Sequence, residues 1–203
     1  MIWTEIEIKN KVVEILSKYF FVYEEITSQC GKSRIDLIVV CRRSSAKFGI
    51  ELKKIDKKTG SDIGDLIIQA RRYSISKFRV NTNDKHERIP IFIYPPISHH
   101  VLMCPDKMLL HEGEKYFKDR HSEDNDHHTA NGMLGKLGIG ELRKIKFWRP
   151  YFAFIYSNFI IWSTKPKFDY INYRSIPNGD IHGLHEENYK RLIKSINYDG
   201  FSI

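Results

Sequence analysis

Two short apolar segments of this sequence carry charged residues at positions where a buried strand would normally have none. Residues 35–40 read Ile-Asp-Leu-Ile-Val-Val, and residues 49–53 read Gly-Ile-Glu-Leu-Lys. Their aliphatic and β-branched content predicts strands buried on both faces, which is typical of the central sheet of an α/β protein. Because an unpaired charge is costly to bury, we interpret Asp36, Glu51 and Lys53 as residues kept for chemistry.

The spacing of these residues indicates what that chemistry is. Side chains alternate along a strand, so Glu51 and Lys53 point to the same side. If the two strands are neighbours joined by the short turn at 43–47, the carboxylates of Asp36 and Glu51 converge. Convergent carboxylates repel each other unless a cation lies between them. Mg²⁺ (or Mn²⁺) is the expected cation, since it binds one or two carboxylates together with substrate phosphate oxygens.

Hydrophobic periodicity predicts an αβββαβ order for the first half of the chain. A helix over 4–20 begins with Thr4 as N-cap and Glu7 three residues later, which is the pattern of a capping box. The other predicted elements are the strands Phe21–Thr27, Arg34–Arg42 and Phe48–Lys54, a helix over 61–78, and the strand Ile89–Tyr94.

The second half has a less regular pattern. We expect a polar loop over Glu112–Asn131 and a flexible connection through the glycine-rich stretch Gly132–Gly140. Strands are predicted at Ile145–Trp148, Tyr151–Tyr156 and Phe159–Ser163, the last two forming a hairpin, and a closing helix at Leu184–Ile196.

The charged strands and the following helix together form a recognisable motif. Arg34-Ile35-Asp36-Leu37-Ile38, then Gly49-Ile50-Glu51-Leu52-Lys53, and finally Gln69 with Tyr73 as Q-x-x-x-Y, resemble the PD-(D/E)xK nuclease superfamily. The likeness is to its RecB-like and Holliday-junction-resolvase-like branches and covers roughly residues 4–95. Ile35 stands where the motif has proline, a position that tolerates substitution in the family.

The resemblance implies a restriction-endonuclease-like αβββαβ core with a mixed central sheet. It implies that Asp36 and Glu51 bind the metal with the main-chain carbonyl of Leu52, and that Lys53 is catalytic. An acid of the first helix, Glu5 or Glu7, and Gln69 would support the metal or the substrate; we assign this role to Glu5.

The resemblance also divides the chain. Residues 1–96 would be the nuclease core, and residues 97–203 an extension that packs on the core or continues it as one domain, with a β-hairpin and a helix. For the extension we expect a role in substrate selection or in assembly as a homodimer, because many nucleases of this type work as dimers.

The formal net charge of +8 favours a polyanionic partner. Lys54, Lys57 and Lys58 form a basic cluster after Lys53 that is either a phosphate-binding surface or a solvated charge run. Arg72 and Tyr73 share a helical face with Gln69, and they too are either nucleic-acid contacts or ordinary helix surface.

Other features narrow the class of protein. Three cysteines without a CxxC pair argue against a disulfide framework and a zinc ribbon. The N-terminus lacks the pattern of a signal peptide, and the longest apolar stretch, Tyr151–Trp162, is too short to span a bilayer, so we expect a cytoplasmic protein without membrane contact.

The function predicted from the sequence is a metal-dependent endonuclease acting on DNA. Three alternatives stay open at this point: an RNA endonuclease with the same site, a catalytically silent nucleic-acid-binding protein of the same fold, and a structural or interaction protein.

Overall fold

The computed structural model describes residues 4–54, 61–94, 96, 132–146, 150–157, 159–164, 168–169, 174–175 and 183–197. The predicted loop Glu112–Asn131 lies outside these ranges. Four helices occur within them: α1 (Glu5–Leu16), α2 (Ser61–Ser74), α3 (132–136) and α4 (Glu186–Ile196). The strands are β1 (Phe20–Thr27), β2 (Arg34–Cys41), β3 (Lys47–Leu52), β4 (Ile91–Tyr94), β5 (Ile139–Lys146), β6 (Pro150–Tyr156), β7 (Phe159–Ser163), β8 (Phe168–Asp169), β9 (Arg174–Ser175) and β10 (Gly183–Leu184).

Eight of these strands form one mixed sheet in the order β1-β2-β3-β4-β5-β6-β7-β10, and β8 pairs with β9 separately. β3, β4 and β5 run parallel to one another, while the strands that flank them pair in antiparallel fashion. The predicted α/β class with a mixed sheet is therefore confirmed. Strands from both halves of the sequence belong to this sheet, which runs without a break from β4 into β5.

Helices cover both faces of the sheet. On the first face, α1 and α4 pack on a core that includes Phe48, Ile50, Leu52, Phe92 and Phe154. On the second face, α2 and α3 pack on a smaller core that includes Ile35, Ile38, Ile91, Ile93 and Ile139. This layering explains why β3 and β4 are apolar on both sides. Within the described ranges, no helix has the length and apolar character needed to cross a membrane.

The helix boundaries show where tertiary pairing overrides the helical pattern. The predicted capping box of α1 is confirmed, because Thr4 and Glu7 bond reciprocally. However, α1 ends at Leu16 rather than at residue 20, since fully buried Phe20 pairs with Cys41 to begin β1. α2 also ends earlier than predicted, at Ser74 rather than at residue 78.

The second half confirms the predicted hairpin and closing helix. β6 and β7 pair in antiparallel fashion across the turn at Ser157, whose φ is 47°. α4 begins at Glu186, two residues after the predicted start.

The prediction of a flexible connection at Gly132–Gly140 is wrong. Residues 132–136 form α3, Gly138 turns the chain with a φ of 76°, and Ile139 begins a strand in the interior of the sheet. Gly140 is needed at this strand for space. A Cβ atom there would overlap the ring of Phe92 and lie 2.7 Å from the backbone oxygen of Ile155.

We expect Gly140→Ala to destabilise the protein by about 1–3 kcal/mol, because the added methyl group overpacks a site bounded partly by backbone. Gly64→Ala is the matched control. Its Cβ would meet nothing within 4 Å, so alanine in this helix should be neutral or stabilising by up to about 1 kcal/mol. Urea unfolding measures both, and equal stabilities for the two variants would contradict the packing described for β5.

Candidate active site

Asp36 and Glu51 lie opposite each other on neighbouring strands. In the β2–β3 ladder Leu37 pairs with Ile50, and one further step in this antiparallel register places Asp36 across from Glu51. The side chain of Glu51 faces α2, on the second face of the sheet, because its strand neighbours Ile50 and Leu52 belong to the core on the first face. Their carboxyl groups are close enough to be hydrogen-bonded to each other. The strands thus bring the two predicted acidic residues together.

The sheet opens around Asp36. The regular β2–β3 ladder ends at Leu37–Ile50, and the backbone N–H of Leu52 donates to Oδ2 of Asp36 at 2.7 Å. In a continued ladder this N–H would face Ile35 instead. On the other side of β2, Glu25 has a φ of 55°, which is rare outside glycine and interrupts β1 at the position across from Asp36. On the β3 side of Asp36, backbone pairing therefore gives way to a contact with its side chain.

The electrostatics of the pair follow from its burial. Glu51 is only 5% exposed, and burial together with the charge of Asp36 raises the pKa of Glu51 to about 9. Burial also raises the pKa of Asp36, and the negative charge of Glu25 adds to this, while the hydrogen bond from Leu52 opposes it. At neutral pH Glu51 therefore keeps a proton. Both groups can ionise together only if a cation compensates them.

Two buried oxygens on the side of the sheet that α2 covers have no hydrogen-bond donor among the described residues. They are Oε2 of Glu51 and Oε1 of Gln69, the latter from the helix that covers the same face of the sheet. Buried acceptors without donors are rare and costly. Carboxylate and amide oxygens are the ligands that Mg²⁺ and Mn²⁺ prefer. The residues present therefore fit a hard divalent cation.

In the described ranges no three His, Cys, Asp or Glu side chains gather as a set of metal ligands, so Glu5 does not join Asp36 and Glu51 as a third close carboxylate. This finding does not conflict with the fit of Mg²⁺, which commonly takes only one or two protein carboxylates and keeps several waters.

Glu5 lies beside the same site. Its Oε2 accepts a hydrogen bond from the backbone N–H of Lys54 at 3.1 Å, and its charge contributes to the raised pKa values of Asp36 and Glu51. Glu7, the other candidate, is bound in the capping box with Thr4. Of the two acids named from the sequence, the structure therefore brings Glu5 to the site.

The predicted lysines extend from the end of β3. The backbone N–H of Lys53 donates to the carbonyl of Tyr94 at 3.0 Å, which continues the β3–β4 pairing by one residue. Half-buried Lys53 thus stays in the strand and shares the side of Glu51. Lys54 is also half-buried, whereas Lys57 and Lys58 lie outside the described residues.

The two helix residues proposed as nucleic-acid contacts have different positions. Arg72 is exposed, close enough to Tyr73 for its charge to lower the pKa of that phenol. Tyr73 itself is 6% exposed and donates to the backbone carbonyl of Arg34 at 2.8 Å. Burial, then the charges of Glu51 and Asp36, raises its pKa to about 12. The structure thus corrects the assignment of Tyr73 as a nucleic-acid contact: it is a core residue that supports β2.

Tyr73→Phe should lower the free energy of unfolding by about 1 kcal/mol, because one buried hydrogen bond to the carbonyl of Arg34 is lost. The affinity for nucleic acid should not change, since the hydroxyl faces the protein interior. Urea unfolding and a binding titration measure the two effects. A loss of affinity at unchanged stability would restore Tyr73 as a surface contact.

Glu25 is the site residue that the sequence did not reveal. Its exposed side chain accepts from Lys9 at 3.2 Å and lies 3.0 Å from Arg34, and its negative charge adds to the raised pKa of Asp36. Nothing in the run Phe-Phe-Val-Tyr-Glu-Glu-Ile-Thr signals a positive φ at this position. The adjacent acids Glu24 and Glu25 read as an ordinary exposed strand edge.

In comparisons with known proteins, no family model matched the chain, and no curated protein or solved structure matched it significantly. The functional conclusion therefore depends on the geometry of these residues and on their pattern in the sequence.

Proposed function

We propose that this protein is a divalent-metal-dependent endonuclease that hydrolyses phosphodiester bonds in DNA, with its catalytic core in residues 1–96. One observation carries the proposal: the carboxyl groups of Asp36 and Glu51 lie together where the regular β2–β3 ladder ends. Glu51 is two residues before Lys53. A carboxyl pair in which one member is forced to keep a proton is poorly suited to a structural role, because it gains little from being buried.

The arrangement of the first six elements supports a restriction-endonuclease-like core. Their order is α1, β1, β2, β3, α2 and β4, the αβββαβ order that the motif resemblance implies. β1, β2 and β3 form an antiparallel meander, and β4 returns parallel to β3 after α2. Residues 97–203 then act as an extension that adds strands to the same sheet.

Asp36, Glu51 and the carbonyl of Leu52 would hold the metal, with Glu5 in support. The N–H of Leu52 is directed at Asp36, and the N–H and C=O of one strand residue face the same neighbouring strand. The carbonyl of Leu52 is thereby directed to the β2 side, where Asp36 lies. A bound Mg²⁺ or Mn²⁺ supplies Lewis acidity and lowers the pKa of bound water.

The other residues prepare the site for a phosphodiester. With a metal bound, Glu51 would be ionised and its proton would pass to solvent. The ammonium group of Lys53 stabilises the negative charge that develops on the phosphoryl oxygens, or holds the attacking water in place. Gln69 would orient a ligand or water through its amide oxygen, which has no donor among the described residues. α2 covers this face of the sheet and limits access of bulk water, which strengthens these interactions.

A cleavage assay with supercoiled plasmid tests the proposal. Purified protein should convert the plasmid to nicked or linear forms with Mg²⁺ or Mn²⁺ and leave it intact in EDTA. A labelled RNA examined in parallel separates the alternatives. Cleavage of RNA alone would indicate an RNA endonuclease, and a gel shift without cleavage would indicate a binding protein. If every tested DNA and RNA stays uncut with either ion, the proposed activity is wrong.

A further inference from the structure

A second charged pair lies buried on β5 and takes no part in the site described above. Glu141 is 1% exposed, and both Nε and Nη2 of Arg143 donate to its Oε2, the Nε at 2.8 Å. The other carboxylate oxygen, Oε1, is buried without a partner among the described residues. Burying such a pair costs free energy that an apolar pair of similar size would not.

This pair repeats the pattern of the candidate site. Glu51-Leu52-Lys53 on β3 corresponds to Glu141-Leu142-Arg143 on β5, and each begins near a glycine in its strand. The repeat is also in register. Glu51 pairs with Ile93 on β4, and Ile93 pairs with Glu141, so the three side chains form one row across parallel strands. Two strand spacings, roughly 10 Å, separate the two glutamates.

Register and burial place both pairs on the same face and at the same edge of the sheet. Ile139 packs under α2 and α3, so Glu141 and Arg143 face that side by alternation. β3, β4 and β5 are parallel, so their carboxyl ends meet at one edge, where open α/β sheets bind ligands. The β4–β5 ladder ends at Ile93–Glu141, and the neighbour of Arg143 on β6 is Ala153. Arg143 thus lies past the last residue pair between β4 and β5, and its neighbour on β6, Ala153, has a small side chain.

The chemistry of the second pair differs from that of the first. Glu51 faces another carboxyl group, whereas Glu141 is neutralised by Arg143 and has the apolar neighbours Ile93 and Ile155. One neutralised carboxylate does not suit a divalent cation. The Nε and Nη2 atoms of Arg143 bind Glu141, and its side chain is 16% exposed. A phosphate would therefore meet the remaining edge of a permanently charged guanidinium group that Glu141 holds in place.

We propose that Arg143, oriented by Glu141, binds a backbone phosphate next to the one cleaved at Asp36, Glu51 and Lys53. This inference rests on the proposed nuclease function and extends it by a substrate subsite. Arg143 would contact substrate directly, and Glu141 would be a positioning residue. The subsite would help set the path of the strand across the carboxyl ends of β3, β4 and β5.

The double variant Glu141→Gln/Arg143→Gln tests the subsite. It removes both charges of the pair, so the net charge of the protein does not change. The matched control is Glu186→Gln/Lys190→Gln, an exposed pair on α4 at the other face of the sheet. A fluorescein-labelled DNA duplex is titrated by anisotropy in EDTA at several salt concentrations, and cleavage kinetics are measured with Mg²⁺.

In the double variant we expect the slope of log Kd against log salt to fall by about 0.9, the value of one phosphate contact. At low salt, Kd and KM should rise about 3- to 10-fold while kcat stays close to that of the wild type. The control should match the wild type in all of these quantities. Arg143→Lys, which keeps the charge but loses the guanidinium group, should raise KM with an unchanged salt slope; this variant provides the test if the double variant does not fold.

An unchanged slope and KM in a folded double variant would overturn the subsite and leave the nuclease proposal intact. If only Arg143→Lys folds, binding and KM equal to those of the wild type would overturn the subsite in the same way. A reduced slope in a protein whose wild type never cuts would keep the subsite and refute the hydrolysis. A wild type that does not bind the duplex at all would overturn both.

Discussion

Glu51→Gln should reduce the rate of DNA cleavage by about 10³-fold or more and leave the protein folded. Glutamine preserves the size of the side chain but cannot supply the negative charge that holds a divalent cation beside Asp36. The loss of several kcal/mol of transition-state stabilisation corresponds to a change of about this size. The initial rate of plasmid nicking at saturating Mg²⁺ measures the effect.

Glu187→Gln is the matched control, since this glutamate is exposed on α4, which packs on the face of the sheet opposite to Glu51. It should cut at the rate of the wild type. If Glu51→Gln retains more than about a tenth of the wild-type rate, Glu51 is not a metal ligand in the reaction, because losing such a ligand costs more than the roughly 1.4 kcal/mol of a tenfold change.

The metal-free protein should become less stable as the pH rises from about 5 to about 9, and Glu51→Gln should remove most of this dependence. The pKa of Glu51 is raised from 4.5 to about 9 by burial and by the charge of Asp36. Between these values the folded state holds a proton that the unfolded state has released. The stability associated with this proton is complete below pH 4.5 and is lost as the pH rises toward 9.

Urea unfolding in EDTA at several pH values measures this effect. At pH 8 the Glu51→Gln variant should be more stable than the wild type by roughly 2–4 kcal/mol, and near pH 5 the two should be similar. Glu51, which cleavage requires, would thus make the metal-free protein less stable. Parallel stability curves for the two proteins, with no pH-dependent gap, would show that Glu51 is not forced to keep its proton.

The meeting of Asp36 and Glu51 could be predicted because it depends on local rules. Two strands joined by a short turn pair with each other, and alternation then fixes which side chains share a face. Asp36 and Glu51 lie within a span short enough for chain connectivity to limit their arrangement. The choice of Glu5 comes instead from the motif resemblance, which offers Glu5 or Glu7, and the capping box of Glu7 with Thr4 separates the two.

The features that could not be predicted depend on contacts between distant parts of the chain. The glycine-rich stretch before Gly140 reads as flexible, and only the ring of Phe92 and the backbone of β6 explain why glycine is needed there. Tyr73 shares a helical face with Gln69, yet the tyrosine is buried and bonded to the backbone of β2, whereas the glutamine is half-buried. The residue types do not predict the positive φ of Glu25. They do not predict the strand register that aligns Glu51 with Glu141 either.

Joint binding of one divalent cation by Asp36 and Glu51 is the claim on which the proposed activity depends. Crystals of the protein soaked with Mn²⁺ at about pH 8 test it most directly through an anomalous difference map. We expect a peak between the two carboxylates in the wild type and no peak in Glu51→Gln. A wild-type map without density there, with the two carboxyl groups still hydrogen-bonded to each other in excess Mn²⁺, would contradict the claim.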